Sequence, residues 1–343
     1  MVRLKDIAQH AGVSVMTVSK VLRDAPDISA STKARIRLLA QQMGYVPDSM
    51  AQSLRTRKTN LLGLVIPAMT NPLFVRTWMA VEERAFEAGY QVIVTHSFNK
   101  PEREESAIRQ LLSRRVDGLL ISPLYRLDPT VAIYDELRQR DIPVIILGHK
   151  APFCASFTGV ETDDLQASLE LTRHLIGLGH KQIAFFTGPA SAPWAQERLE
   201  GYRRALREAQ LPAEDGLVFN AGGTIEEGAQ AAVEFLREKP SATAIQAVND
   251  MVAMGAANHL LDQGIRIPFD LSITGFGNFL ASEYFRVPLT TARQPKYRLG
   301  RLAVETVLRL MHGEQVEPPR LTSEIIIRAS TAAPVTAGVT CDL

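Results

Sequence analysis

Arg3-Leu-Lys-Asp-Ile-Ala-Gln-His-Ala-Gly-Val-Ser-Val-Met-Thr-Val-Ser-Lys-Val-Leu22 is the stretch on which the reading of this chain turns. Two short helical patterns flank a break at Ala11-Gly12-Val13, the layout of a helix-turn-helix. Ser14 is placed to cap the second helix, in which Val18, Val21 and Leu22 face inward while Val15, Met16 and Lys20 face away. An outward face of that kind fits the major groove, so these residues imply sequence-specific DNA binding. The alternative puts Val15 and Met16 in the bundle core, although Val18, Val21 and Leu22 already fill its inner face.

Downstream, Ile36, Leu39, Ala40 and Met43 repeat at helical spacing behind Ser29 and end at Gly44, which predicts a third helix. Pro47-Asp-Ser49 interrupts the chain, and Met50 to Arg57 reads as a short helix with a basic end. A helix of roughly eight residues is marginal alone, because nucleation costs more than so few hydrogen bonds return, so it is expected to fold only when docked. Residues 1–60 hold ten Lys and Arg against four Asp, a net +6, and the rest of the chain carries −5. A basic head on a mildly acidic body suits a polyanion partner for the head alone.

From Leu61 the pattern becomes short apolar runs alternating with amphipathic stretches: Leu61 to Pro67, Gln91 to Thr95, Gly118 to Ser122, Val144 to Leu147, Ile183 to Thr187, Ala244 to Val248 and Ser272 to Phe276. Continuous Val, Ile and Leu runs between helices predict parallel strands buried on both faces, hence an α/β architecture with two doubly wound sheets. Ligands in such folds sit beyond the carboxyl ends of the strands, so a cleft between two lobes is the expected site. With 343 residues and 46% hydrophobic content, the chain can build such cores.

Cys154 and Cys341 are far apart and without partners at metal-ligand spacing, so no disulfide framework and no zinc site is expected. No run of about 18 apolar residues occurs, and no apolar run follows the first charges, so neither secretion nor membrane spanning is expected. A cytoplasmic protein is the expectation. Gly223-Thr-Ile-Glu-Glu-Gly228 lacks the Lys-Ser/Thr of a phosphate loop, and His10, His96, His174, His180, His259 and His312 show no ligand spacing, so no cofactor or metal and no enzyme chemistry is expected. Glu102 to Arg109 reads as a solvated helix face.

The motif from Leu4 to Leu22, then Gly44-Tyr-x-Pro47 and Ala51-x-Ser-Leu-Arg55, resembles the LacI/GalR family of bacterial transcription regulators. The resemblance continues through Leu62-Gly-Leu-Val-Ile-Pro67, Val116-Asp-Gly-Leu-Leu120, His180-Lys-x-Ile183, Arg198-x-x-Gly-Tyr202, Asn249-Asp250, Ser272-Ile-Thr-Gly275 and Leu289-Thr-Thr-x-x-Gln-Pro295. It implies a three-helix helix-turn-helix headpiece at 1–47, a hinge helix at 48–59 and a two-lobed sensor at 60–335, with a flexible tail at 336–343. The sensor would be periplasmic-binding-protein-like (type I). Its N-lobe is expected at about 60–160 and 291–322, and its C-lobe at about 161–290 and 323–335. A homodimer on a palindromic double-stranded operator, answering to a small-molecule effector, is implied as well. The subunit contact is expected through helices such as Val75 to Ala88 and Arg298 to Met311. The segment from Ala329 to Leu343 has no leucine heptads, so no coiled-coil tetramer is expected.

The family pattern puts Val15, Met16 and Lys20 where bases are read. Lys20 can donate to guanine, while Val15 and Met16 offer apolar contact, for instance to a thymine methyl. Thr17, Ser19 and Ser31 are expected to bond phosphates, which fixes register without reading sequence. The resemblance makes Leu54, between Ala51 and Arg55, a minor-groove wedge; the alternative is an ordinary leucine at a domain junction. In the cleft it points to Asn71, Phe74, His149, Trp194, Arg198, Asn249, Asp250 and Gln294. Arg198 could clamp a carboxylate, a phosphate or vicinal hydroxyls, or form a structural salt bridge. Asp250 could cap a helix instead, and Trp194 could stack on an effector or close its lobe. His149 could equally be a satisfied group with no part in binding.

Three positions depart from the family pattern. Gly148 and Gly277 stand where acids are common, and Gly222-Gly223 where some relatives carry an aromatic. The expectation is vacated space, taken by a bulkier or anionic ligand that uses Arg198 and His149, or else a weakened ligand control. The competing classes are a solute-binding protein of a transport system, which would need an export signal and no basic head, and an enzyme.

Overall fold

Helix α1 (Leu4–Ala11), α2 (Val15–Leu22) and α3 (Ala30–Gln42) form the first of the two units into which a computed structural model divides, Met1–Thr59 and Asn60–Leu343. The structure describes residues 2–46, 58–213, 215–238 and 240–335. The expected hinge helix, with Ala51, Leu54 and Arg55, lies outside the described residues except for its last two positions, and so does the tail at 336–343. In the first unit Gly12 adopts φ +65, a left-handed turn that ends α1 and lets its N–H reach back to the last carbonyls of that helix. Ser14 Oγ then accepts the N–H of Thr17 at 3.0 Å and starts α2. Ile7, Val18, Val21 and Ile36 seal the core completely.

In the second unit the apolar runs become strands for the reason the sequence suggested: residues such as Leu62, Leu64 and Val65 of β1 (Leu61–Ile66) are buried on both faces. The N-lobe sheet runs β2 (Gln91–His96), β1, β3 (Gly118–Ile121), β4 (Val144–Leu147), β5 (Thr158–Val160), all parallel. It is flanked by α4 (Pro72–Glu87), α5 (Pro101–Ser113), α6 (Ala132–Arg138) and α12 (Lys296–Met311). The C-lobe sheet holds β6 (Ile183–Thr187), β7 (Val218–Asn220), β8 (Ala244–Ala247), β9 (Ser272–Phe276), β10 (Thr290–Arg293) and β11 (Glu324–Ile326). Their spatial order is β11, β10, β9, β8, β6, β7, and the β10–β11 pair is antiparallel. Around it lie α7 (Asp164–Gly177), α8 (Pro193–Glu208), α9 (Ile225–Glu238), α10 (Asp250–Asp262) and the short α11 (Leu280–Tyr284).

Three segments join the lobes: 161–163, 294–295 and the stretch around Leu321, whose backbone pairs with that of residues 161–163. The expected return to the N-lobe at 291 needs correction. Thr290–Arg293 hydrogen-bonds β9 and β11, so the chain leaves the C-lobe sheet only at Gln294. The charge run Glu102 to Arg109 exposes Glu102, Arg103 and Arg109 as a solvated face should, and Glu104 departs from that expectation. Glu104 is buried, accepts the Leu124 N–H at 2.7 Å and pairs with Arg126; burial raises its pKa despite these partners.

Helices α9 and α10 meet through glycines. A Cβ on Gly255 would stand 1.9 Å from the Ile225 carbonyl oxygen, and one on Gly228 would stand 2.3 Å from that of Val252. Gly255→Val should therefore force the helices apart and lower stability by about 3 kcal/mol, read as a drop in the urea midpoint. An unchanged midpoint would mean the helices slide freely.

Candidate functional site

On the first unit, α2 presents Val15 (46% exposed) and Met16 (63% exposed) to solvent, while Val18 and Val21 of the same helix are fully buried. The alternative that Val15 and Met16 belong to the core is thereby removed. Thr17 shares a hydroxyl contact with Ser14 at 2.9 Å, Ser19 is half-buried, and Ser31 is exposed, 3.2 Å from the Ser29 hydroxyl. Lys20 is not free as the sequence implied. It pairs with Asp27, but both ends lie in solvent, where water and salt screen the attraction, so the pair opens readily for another anion.

In the second unit a cavity of about 540 Å³ lies at the carboxyl ends of the strands of both lobes. Asn71, Phe74, His149, Trp194, Arg198, Asn249 and Gln294 all line it. Doubly wound topology explains the gathering, because it turns the first residues of α4, α7, α8, α10 and α12 toward one crevice. Asn71 caps α4 by accepting the Leu73 N–H at 3.0 Å. Asn249 caps α10 by accepting that of Val252 at 2.8 Å, and its Nδ2 donates to the Gly223 carbonyl at 3.1 Å.

Arg198 dominates the floor. It is 5% exposed, and its Nε and Nη2 donate to Asp164 Oδ2 at 2.9 and 2.7 Å, while Nη1 donates to the Val248 carbonyl at 2.6 Å. The guanidinium lies 3.7 Å from the centre of the Phe276 ring and 4.7 Å from that of Trp194. Two of its five N–H donors are left over from these bonds, so the structural salt bridge and a ligand contact are compatible. Asp164 Oδ1 also accepts from Thr162 at 2.6 Å and Gln294 at 3.5 Å.

Asp250 needs correction: it is fully buried and is not among the lining residues. Its oxygens accept from Thr291 Oγ1 and Ser282 Oγ, each at 2.6 Å, and from the Phe279 N–H at 3.0 Å. Asn249, not Asp250, caps the helix. The space expected beside the glycines is open only at Gly223, where a Cβ would meet nothing nearer than Asn249 Nδ2 at 3.9 Å. Gly222 (φ +56), Gly148 (φ +114) and Gly277 (φ +131) occupy backbone geometry that side chains rarely adopt. A Cβ would meet the Glu227 carboxyl at 2.3 Å, the Tyr125 hydroxyl at 3.3 Å and the Phe279 ring at 3.0 Å, respectively.

Sequence reasoning missed Asp164, Lys296, Tyr125 and Glu227, which also line the cavity. Two signals were readable. Asp163-Asp164 supplies two acids where a helix needs one cap, and Asp163 is that cap. Lys296 opens α12, where the helix dipole disfavours a cation. Lys296 is 5% exposed and bonds the Gly277 and Asn278 carbonyls; burial, with the charges of Arg76 and Arg293, lowers its pKa to about 8 against the pull of Asp250.

His149 links the lobes. Its Nε2 stands 3.1 Å from Glu197 Oε2 on α8, and Arg320 Nη2 donates to the same oxygen at 2.5 Å and to the Thr162 carbonyl at 3.0 Å. Arg320 also pairs with Glu161 at 3.1 Å, and the Tyr125 hydroxyl donates to the His149 carbonyl at 2.8 Å. Burial pulls the His149 pKa down, but Glu197, Asp164 and Glu161 outweigh it and the net shift is upward. Burial likewise pushes Glu197 up, and His149 and Arg320 override it, holding the carboxyl at about 2.

Two predictions follow from this geometry. Arg198→Met strands the Asp164 carboxylate in the interior and should cost about 3–5 kcal/mol in urea unfolding, most of it regained when Asp164→Leu is added. A double variant no more stable than the single one would show that the pair is not the coupled unit. The second concerns pH. The His149 contribution is complete below its ordinary 6.5 and is lost as pH rises through the raised folded value, whereas that of Glu197 is complete above its ordinary 4.5 and is lost as pH falls toward about 2. The urea midpoint should accordingly fall as the pH is raised above His149's ordinary 6.5, and His149→Gln should flatten that slope; an equal slope in both proteins would exclude the link.

Comparison with known proteins matches both units. Residues 3–48 fit the model for bacterial regulatory proteins of the lacI family, and residues 59–329 that for periplasmic binding proteins and the sugar-binding domain of the LacI family. The HTH-type transcriptional regulator DegA of Bacillus subtilis strain 168 is 31% identical over 95% of this chain and 97% of its own. The HTH-type transcriptional repressor CytR of Escherichia coli K12 is 30% identical over 96% of each. A solved Lac repressor dimer, bound to operator and the anti-inducer ONPF, superposes with a TM-score of 0.87 at 28% identity, covering 97% of this chain and 99% of that one. With models matching head and body and relatives 30% or more identical along nearly the whole length, the chain belongs to the LacI family of bacterial regulatory proteins.

Proposed function

We propose that this protein is a transcription repressor that binds a palindromic operator as a homodimer and changes its operator affinity when a small molecule fills the cleft. The observation that carries the reading is the split character of α2: Val18 and Val21 are sealed into the core while Val15 and Met16 stand in solvent on the opposite side. Lys20, once released from Asp27, supplies a polar donor for a base edge, and Thr17, Ser19 and Ser31 hold phosphates. By the family motif alone, Leu54 is assigned to the minor groove as a wedge, and Ala51 and Arg55 to the DNA beside it, Arg55 on the phosphate backbone. The relatives named above are regulators and repressors, which supports a sensing cleft rather than a catalytic one in a protein that works on DNA in the cytoplasm.

For the effector, Asn71, Phe74, His149, Trp194, Arg198, Asn249 and Gln294 are the contacts we assign, and Asp250 is withdrawn to a supporting role. The exposed apolar residues Val75, Met79 and Phe86 of α4, beside Tyr297 of α12, are the surface we assign to the second subunit. Coupling between cleft and operator of about 1–3 kcal/mol would place the effector's influence in the 5- to 150-fold range.

Capture of genomic fragments by the full-length protein, followed by footprinting, tests the reading directly. A protected palindrome is the expected result, and protection without sequence preference would overturn it. On that site Met16→Ala and Lys20→Ala should each weaken binding by about 1–3 kcal/mol, roughly ten- to a hundred-fold, with little change on random duplex. Ser31→Ala should weaken both duplexes alike. Ala51→Pro should abolish operator binding while the cleft still binds; normal operator affinity in that variant would remove the docked-helix mechanism.

A further inference from the structure

We propose that the molecule this cleft takes carries an acidic group, a carboxylate or a phosphate, and that Lys296 selects for it. The inference rests on the effector-cleft reading above. The charged residues lining the cavity do not balance in its interior. Asp164 is engaged by Arg198, and Glu227 sits at the exposed rim with its carboxylate on the backbone N–H groups of Gly223 and Thr224, at 2.8 and 2.9 Å. Lys296 is different. Its ammonium is 95% withdrawn from solvent, its partners are the Gly277 and Asn278 carbonyls, and the negative charge that pulls on it, the buried Asp250, is occupied by Thr291, Ser282 and the Phe279 N–H and forms no ion pair with it. Position 277, whose carbonyl holds the ammonium, is a glycine at φ +131 and offers no counter-ion of its own.

An ammonium held by carbonyls alone is a costly arrangement, and an ion of opposite sign completes it. Lys296 has one N–H beyond the two carbonyl bonds, and Arg198, which also lines the cavity, has two beyond its own. An acidic group near Lys296 with hydroxyls toward Arg198 would use these donors, while Phe74 and Trp194 supply apolar walls for the rest of a small polyhydroxylated molecule. A neutral sugar would leave the lysine as it is. The position of the five helix starts around the cavity adds partial positive charge in the same sense.

The experiment uses the full-length protein and follows thermal melting with D-glucuronate, D-gluconate, glucose 6-phosphate and inorganic phosphate, with D-glucose as the neutral control. At least one acid should raise the melting temperature dose-dependently while glucose does not, and the set separates carboxylate from phosphate. Lys296→Gln should weaken that acid ten-fold or more, and Lys296→Arg should restore part of the loss. Calorimetry at about pH 8 in buffers of different ionisation heat should register proton uptake on binding, because the anion draws the lysine back to its charged form; a purely structural lysine would take up none. Glucose binding as tightly as its acids, undiminished binding to Lys296→Gln, or no response to any acid at millimolar concentration would each overturn the assignment. Operator capture on the same preparation keeps the two levels apart. Wild-type chain that captures operator but ignores the acids loses only this inference, whereas wild-type chain that captures none fails the regulator reading and the inference with it.

Discussion

The contact in which two Arg198 N–H groups converge on one oxygen of Asp164 is the interaction around which the sensor is arranged. Asp164 is the first residue after the chain crosses from one lobe to the other, and Gln294, at the second crossing, reaches the same carboxylate. Arg198 is stacked between two rings and reaches across to the Val248 carbonyl at the start of α10. One buried ion pair therefore joins two crossing strands, two helix starts and the floor of the cavity. Its geometry meets the condition for a buried pair to be tolerated, since the remaining lone pairs of the carboxylate accept from Thr162 and Gln294. A ligand that touches Arg198 touches the joint between the lobes, which gives a physical route from occupancy to lobe angle.

The fold was largely legible because its signals are periodic. Helical spacing around Val18 and Val21, and unbroken runs such as Val144 to Leu147, report burial directly, and burial is what shapes these elements. Strands β5, β7, β10 and β11 escaped because each is three or four residues long and partly polar; Thr290–Arg293 is held by neighbours distant in sequence, not by its own pattern. That is also why the sequence puts the second lobe crossing a few residues early.

The site was legible in part. Residues marked by a motif, such as Arg198 and Gln294, do line the cavity, but a motif does not say which way a side chain turns. Asp250 turns inward to Thr291 and Ser282, a choice made by residues some thirty to forty positions away. Tyr125 carries no motif of its own and becomes visible only when loops from both lobes are brought together, and Lys296 shows in the sequence only as a cation at a helix start. The link from His149 to Glu197 and Arg320 is of the same kind, since its three members come from segments far apart in the chain.

Gly222 carries a consequence of a different sort. An aromatic at that position would collide with the Glu227 carboxyl, and Glu227 is fixed by the backbone groups of Gly223 and Thr224. A larger side chain at position 222 has to lift that carboxylate off its two N–H donors and also accept a left-handed backbone. The rim of the cavity beside Glu227 is thus shaped by a residue that does not itself line it, so its contour answers to positions 222 and 227 jointly.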